Sequence, residues 1–496
     1  MAIEASIRIG STTASPWQLT APDPVATSRN AGTHPVAVEP NRRYAQVPTG
    51  PGLILAPAPD APDPDAAAIA ESPEARFTAS ELVPHLAWVM SAYYPALEPE
   101  RMQEVILASL QGLARLKPEV TVERDGNRIV IRDGATTQRF AMPSNAGSWA
   151  NAAQRVAELV AGPVPSLAGA RHDAVSDAFF SGLAGSLDGY SWYRNRAAAA
   201  EFARRMDHSK PEDDVQAEVV DGVGVLRIRT FTGAAVIGVR RALESWGLLP
   251  EGATPRVQGL VVDIIDDGGG ASAAARSIAD MFLRRGVIYR TESNETVNAV
   301  NEEADGRGIP EHIQVVVLQN GGTASAAEIF AGAVQENRRA IVLGTSSYGK
   351  SREQTVRREL PGGGALAIST ALIRGPSGQT HEGQGVTPNA CIIDTRVSMD
   401  AASRAELRRR GELDAGPDNP LHRFCPPLPS RAEVRTPGRR RMSDDEHRGL
   451  QLQAIALLRD QARYRSLLEG VELAPQPAFV RPRSAVPGVP WWAGPN

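Results

Sequence analysis

Between residues 219 and 393 short β-rich runs alternate with helical stretches, and a chain patterned in this way has few ways to pack. The runs are Val223 to Arg229, Leu260 to Ile265, Val315 to Leu318, Ile341 to Leu343 and Ala365 to Ile373, with helical stretches centred on Val239, Ile278 and Ile329 between them. Each run is too short and too apolar to stand alone, so the pattern predicts an α/β fold: a layered core with substantially parallel strands. At 496 residues the chain is also longer than one hydrophobic core supports, which calls for a main domain and one or two smaller units.

The flanking regions divide by composition. Residues 1–75 hold 12 of the 38 prolines and no periodic apolar positions, and such a segment cannot bury enough surface to offset its ordering entropy. It reads as an extended or disordered leader. Residues 76–195 read as a mainly helical N-terminal unit. A helix capped by Ser80 should run through Met102, Ile106, Leu110, Leu113 and Leu116 and stop before Pro118. A short strand is expected at Arg128 to Arg132, then a second helical stretch ending in Gly182-Leu183-Ala184-Gly185-Ser186-Leu187-Asp188. Ser109 to Leu116 weakly echoes that ending. The core is placed at 196–395. Residues 396–496 form an Arg-rich segment, a helix announced by the capping box Ser443-Asp444-Asp445-Glu446, and a Pro-rich tail.

Composition excludes several functions. With 53 basic and 57 acidic side chains the net charge is −4, which gives no long-range field for holding nucleic acid. No apolar run approaches the ~20 residues needed to span a bilayer. The first ten residues carry Glu4 and no apolar stretch, so they do not read as a secretory signal. Two cysteines, Cys391 and Cys425, are too few for a disulfide framework or a zinc site.

The most informative segment runs from Ile313 to Gln354. A buried strand leads into Asn320-Gly321-Gly322-Thr323-Ala324-Ser325 and then the helical Ala326 to Val334. A serine at such a strand-to-helix turn projects its hydroxyl into the crevice beyond the sheet, where ligands of open α/β sheets bind. The first helical amides, beginning with Ala326, have no intrahelical acceptor and can donate to an anion. Ser325 and Ala326 thus supply a candidate nucleophile and half of an oxyanion hole, although the same serine would also serve as a simple helix cap. A serine needs a base. Lysine occurs only at Lys117, Lys210 and Lys350, against 50 arginines. Arginine cannot give up its proton, whereas a desolvated lysine can, so Lys350, just beyond the Ile341 run, is the candidate base of a Ser-Lys pair. A rival motif overlaps it: Gly344 to Ser351 satisfies the phosphate-loop pattern. That pattern must lead into a helix, but Arg352 to Arg358 reads at least as well as an exposed strand.

These residues resemble the C-terminal processing, or tail-specific, serine peptidases. The family's Thr-Ala-Ser-Ala-x-Glu turn appears as Thr323 to Glu328, its Gly-Thr-x-x-x-Gly-Lys segment as Gly344 to Lys350, and a Gln four residues later as Gln354. Gly182 to Ser191, Gly222 to Phe231 and Gly385-Val386-Thr387-Pro388-Asn389 resemble further family phrases, so the likeness spans most of residues 175–393. It implies a core related to the Clp protease and crotonase folds. It also implies that Ser325 is the nucleophile, Lys350 the general base and Gln354 the group orienting Lys350, with the amide of Gly269 or Gly270 completing the oxyanion hole beside Ala326.

Two departures bear on that carry-over. The family's Asp-Leu-Arg-x-Asn-Pro-Gly-Gly turn is here Asp263 to Gly270, with an extra carboxylate at Asp267 that would oppose an oxyanion if it pointed inward; it is expected to face solvent or pair with an arginine. Second, fewer than about 30 residues separate Ser191 from Val219, and a PDZ module of about 90 residues cannot fit there. The expected partner is a protein or peptide substrate, with an adaptor protein possible in place of the PDZ module. No metal or organic cofactor is implied. The alternatives are a catalytically silent binding protein on the same fold and a nucleotide-binding protein using Gly344 to Ser351.

Overall fold

A computed structural model of the chain describes residues 77–134, 136–161, 168–207, 209–294, 300–358, 360–392, 421–422 and 442–469. The leader expected over 1–75, most of the Arg-rich segment and the Pro-rich tail lie outside these residues.

The N-terminal elements are α1 (Ala79–Ala92), α2 (Pro99–Ala114), β1 (Val120–Asp125), β2 (Arg128–Asp133), β3 (Thr136–Ala141), α3 (Ala146–Ala161) and α4 (Ala168–Leu187). The single helix expected from Ser80 to Leu116 is two helices, since Pro95 and Pro99 interrupt the backbone ladder between them. Its cap is Thr78, whose N–H donates to Glu81 at 3.1 Å, and not Ser80. The strand expected at Arg128 to Arg132 is the middle of an antiparallel meander, β1-β2-β3. Its neighbours escape a reading by apolar content because β1 and β3 are largely exposed. The two Gly-Leu-Ala phrases meet each other. A Cβ on Gly112 of α2 would lie 2.3 Å from the Ala178 carbonyl oxygen of α4, and one on Gly182 of α4 would lie 2.6 Å from that of Ala108. The echo in the sequence is therefore a helix crossing at backbone contact, open only to glycine.

The chain continues through β4 (Trp192–Arg194), α5 (Arg196–Asp207), α6 (Pro211–Asp214), β5 (Val215–Val220), β6 (Val223–Ile228), α7 (Gly233–Ser245), β7 (Gly259–Asp263), α8 (Ser272–Phe282), β8 (Val287–Ser293), β9 (Val300–Glu303), β10 (Gln314–Gln319), α9 (Ala326–Glu336), β11 (Ile341–Gly344), β12 (Arg352–Arg357), β13 (Ala365–Arg374), β14 (Ala390–Ile392), β15 (Leu421–His422), α10 (Asp444–Arg459) and α11 (Gln461–Glu469). A seven-stranded sheet has the order β15-β14-β11-β10-β7-β6-β5. Its five inner strands are parallel, and β5 and β15 run antiparallel at the edges. A second, antiparallel sheet has the order β12-β13-β8-β9, with β4 also paired to β13.

Alternate residues of the inner strands serve two layers, as the period of two demands. Val262, Val315 and Val317 face Val239, Ile278, Phe330 and Val334 of α7, α8 and α9. Val261, Val316 and Leu318 face Ala454, Ile455 and Leu458 of α10 and Tyr464 of α11. Covered on both faces, these strands read as continuous apolar runs. The third apolar cluster joins the N-terminal helices to Leu360, Leu366 and Ile368 at the second sheet. Cys391 of β14 is disulfide-bonded.

Candidate active site

Three loops leave the same edge of the parallel sheet. Leu318 of β10 pairs with Asp263 of β7 and with Leu343 of β11, and Gln319 pairs with Gly344, so the turns after β7, β10 and β11 start at one level. They carry Asp263 to Gly270, Asn320 to Ser325 and Thr345 to Lys350. Stitches hold them together: Ala324 N–H donates to Asp267 O at 2.9 Å, Tyr348 N–H to Thr323 O at 2.8 Å, and the Thr323 hydroxyl to Ile264 O at 2.8 Å.

Ser325 sits at the N-terminus of α9 with φ 56° and ψ −118°. A non-glycine residue with positive φ is strained, and such strain marks positions that the surrounding structure over-determines. Glu328, one turn into the helix, is the fastening. Fully buried, its carboxylate accepts Ser325 N–H at 2.8 Å, Gly349 N–H at 2.6 Å, Lys350 N–H at 2.8 Å and the Ser347 hydroxyl at 2.5 Å. Burial raises its pKa and these four donors lower it. One side chain thus fixes the serine turn against the lysine turn. Glu328 closes the Thr323 to Glu328 motif, and its spacing from Ser325, that of a capping box, is the only sign of this role in the sequence.

Lys350 is buried and its amine donates to Gln354 Oε1 at 2.5 Å. Gln354 is itself buried and held by Nε2–H bonds to Arg352 O at 3.0 Å and Ser369 Oγ at 3.2 Å. Desolvation pulls the Lys350 pKa down to about 7, against the opposing pull of Glu382, Asp188, Glu328 and Glu353. Ser325, Lys350, Gln354 and Gly270 line one cleft, together with Ile288, Ile329 and Ile373. Within it the amine bonds to Gln354, and no hydrogen bond joins it to the Ser325 hydroxyl.

The glycine turn approaches Ser325 closely. A Cβ on Gly269 would stand 2.8 Å from Ser325 Cβ and 3.0 Å from Ala326 N, and its φ of 104° also favours glycine. Asp267 corrects the expectation from sequence: it neither faces solvent nor pairs with an arginine. It is fully buried, and its Oδ1 accepts Gly269 N–H at 2.8 Å. Among the described residues Oδ2 has no partner. Burial, with the charges of Asp214 and Asp263 nearby, holds its pKa well above the usual carboxylate range and favours the neutral acid. Gly269 N–H is therefore committed to Asp267. Among the described residues no protein acceptor meets the amides of Gly270 and Ala326, which leaves those two for an anion.

The phosphate-loop alternative fails on geometry. Gly344 to Ser351 leads into strand β12, paired antiparallel with β13, and the Gly349 and Lys350 amides that a phosphate would need are turned onto Glu328. The sequence also gave no sign that α10 braces the site. Asp263 Oδ2 meets His447 Nδ1 at 2.7 Å and accepts Gln451 Nε2–H at 3.0 Å, while Asp266 accepts Asn320 Nδ2–H and Met442 N–H, each at 2.9 Å. Among the described residues no helix is long and apolar enough to cross a membrane.

The model of peptidase family S41 matches residues 222–392, which run from β6 to β14. A carboxy-terminal-processing protease of Bartonella bacilliformis is 34% identical over 180 residues, covering 36% of this chain and 40% of that protein. A carboxyl-terminal-processing protease of Synechocystis is 27% identical over 327 residues, covering 64% of this chain and 66% of its own length. Among solved structures, the photosystem II D1 C-terminal processing protease is 27% identical, with 39% of this chain and 52% of that one covered at a TM-score of 0.32. The chain thus spans about two-fifths of the Bartonella relative and just under two-thirds of the Synechocystis one. Residues 222–392 thus match peptidase family S41, and the two curated proteins that the chain resembles there are C-terminal processing proteases.

Proposed function

We propose that this protein is a serine endopeptidase that cleaves protein substrates through an acyl-enzyme, with Ser325 as nucleophile and Lys350 as general base. The observation that carries the reading is a buried amine with its pKa drawn to about 7, held by Gln354 on the wall of the cleft that Ser325 also lines. A lysine so placed is neutral in a useful fraction of molecules near neutral pH, which an exposed lysine is not.

In the reactive complex the neutral Lys350 amine takes the Ser325 proton, a hydrogen bond that forms as substrate fills the cleft. Ser325 Oγ bonds to the scissile carbonyl carbon, and the carbonyl π electrons move to oxygen, where the Ala326 and Gly270 amides receive the charge. Lys350 returns the proton to the leaving amine as the C–N bond breaks. Water, activated by the same amine, then releases the acyl group. Gln354 holds the amine in the cleft, and no metal or organic cofactor takes part. Among the described residues, the interval where relatives of this type carry a PDZ module holds β4, α5, α6 and the start of β5. Substrate is then captured by other surfaces of the chain or by an adaptor protein.

Casein hydrolysis and labelling of Ser325 by a fluorophosphonate test the reading. Ser325→Ala should abolish both. Lys350→Arg should be inactive on casein, because guanidinium cannot act as base. Substantial hydrolysis by Lys350→Arg would remove Lys350 from the mechanism, and a wild-type protein that neither labels nor hydrolyses would be a silent binding protein.

A further inference from the structure

The turn after α4 sends an aromatic ring from the N-terminal helical unit onto the Lys350 amine. Asp188 shapes that turn: its Oδ1 accepts Tyr190 N–H at 2.8 Å and Ser191 N–H at 2.6 Å, and its Oδ2 accepts the Tyr93 hydroxyl at 3.0 Å. The Tyr190 ring centroid then lies 5.5 Å from Lys350 Nζ, and Tyr190 is itself 8% exposed. The ring is pinned at its far end as well. Its hydroxyl donates to Glu382 Oε1 at 2.9 Å, and Glu382 Oε2 accepts Ser351 N–H, next to Lys350, at 2.8 Å. The amine thus lies between Gln354, its hydrogen-bond acceptor, and an aromatic face supplied from outside the S41 domain.

We propose that Tyr190 is a positioning residue that walls the Lys350 amine off from water and thereby sets the pH at which the base becomes available. Its consequence for activity rests on the Ser-Lys reading above. The charged groups facing the amine argue against any other explanation of a neutral lysine. Glu382, Asp188, Glu328 and Glu353 all attract the ammonium form, and the ring's own quadrupole does so as well. Every one of these favours the proton. Exclusion of water is the opposing effect, and for a fully buried group it reaches about 3–5 pH units. Removing the ring therefore admits water and moves the titration up.

The chain has three lysines, Lys117, Lys210 and Lys350, so protein labelled with 13C at lysine Cε gives three resonances, and Lys350→Arg identifies the one of interest. In the wild type that resonance should titrate near neutral pH. Tyr190→Ala should raise its midpoint by about one unit or more, Tyr190→Phe should leave it within a few tenths, and Tyr190→Leu, which keeps the site dry without a π face, should leave it level or lower it. Should the alanine variant not fold, Tyr190→Asn fills the space with a hydrated group and is expected to raise the midpoint likewise. A wild-type midpoint near 10, or one unmoved in both polar and truncated variants, overturns the proposal. Fluorophosphonate labelling of Ser325 across the same pH range separates the two ideas. A midpoint that moves as expected without labelling at any pH keeps Tyr190 in its role and discards the Ser-Lys reading.

Discussion

Glu328 links the two halves of the proposed dyad, and its removal is the sharpest test of how far the site depends on geometry. Glu328→Gln keeps the volume but turns an NH2 toward at least one of the amides of Ser325, Gly349 and Lys350. Leaving a buried donor unsatisfied costs about 1–3 kcal/mol. We expect the variant to fold with a lower urea midpoint and to lose at least about 100-fold in kcat, because misplacement by about 1 Å is enough to do so. A variant with near wild-type kcat would show that the turns hold themselves. Lys350 itself gives a test by stability. Its pKa is lowered on folding, from the ordinary 10.5 to about 7, so the unfolded chain binds more protons between those values. The cost of burying it is full below about pH 7, shrinks as pH rises, and is gone above about 10.5, amounting to about 4 kcal/mol at pH 7. Lys350→Met should therefore be more stable than wild type to urea at pH 7, with the difference narrowing toward pH 10. A difference that widened with pH would mean the amine is not desolvated.

At the scale of elements, the crossing of α2 and α4 sets where the turn bearing Asp188 and Tyr190 emerges. Gly112 and Gly182 let the two backbones touch, so Gly182→Ala must push the helices apart or strain them. We expect a loss of about 2–4 kcal/mol by urea unfolding, in the range of overpacked and backbone-blocked sites; a neutral effect would mean the crossing is loose. Those glycines were visible in the sequence only as an echo, since nothing local says that two distant phrases meet. By contrast the helix at Ser443 was legible in full. Its cap is local chemistry, with Ser443 Oγ accepting Glu446 N–H at 3.3 Å and Glu446 accepting Ser443 N–H at 2.6 Å. What that helix is for was not legible. His447 and Gln451 reach a buried Asp263 that lies 184 residues earlier in the chain than His447.

At the scale of the whole molecule, the segment between Ser191 and Val219 bears on substrate capture. In a PDZ-bearing relative a substrate's free carboxylate is gripped by backbone amides at a sheet edge, and here the interval between Ser191 and Val219 is filled by β4, α5, α6 and the start of β5. Amidating the C-terminus of a cleavable peptide should change kcat/KM by less than about threefold, under about 0.7 kcal/mol. A loss of about tenfold or more, about 1.4 kcal/mol, would place a carboxylate pocket elsewhere in the chain. The sequence by itself determined the alternation of strands and helices, the capped C-terminal helix, and the identity of Ser325, Lys350 and Gln354 as the residues to examine, because periodicity, capping and motif spacing are local properties. Only the tertiary structure decided that Asp267 is buried against Gly269, that Glu328 ties the two turns together, and that Tyr190 lies over Lys350. Burial and hydrogen-bond partners are set by what other segments bring to a position, and no stretch of chain carries that information alone.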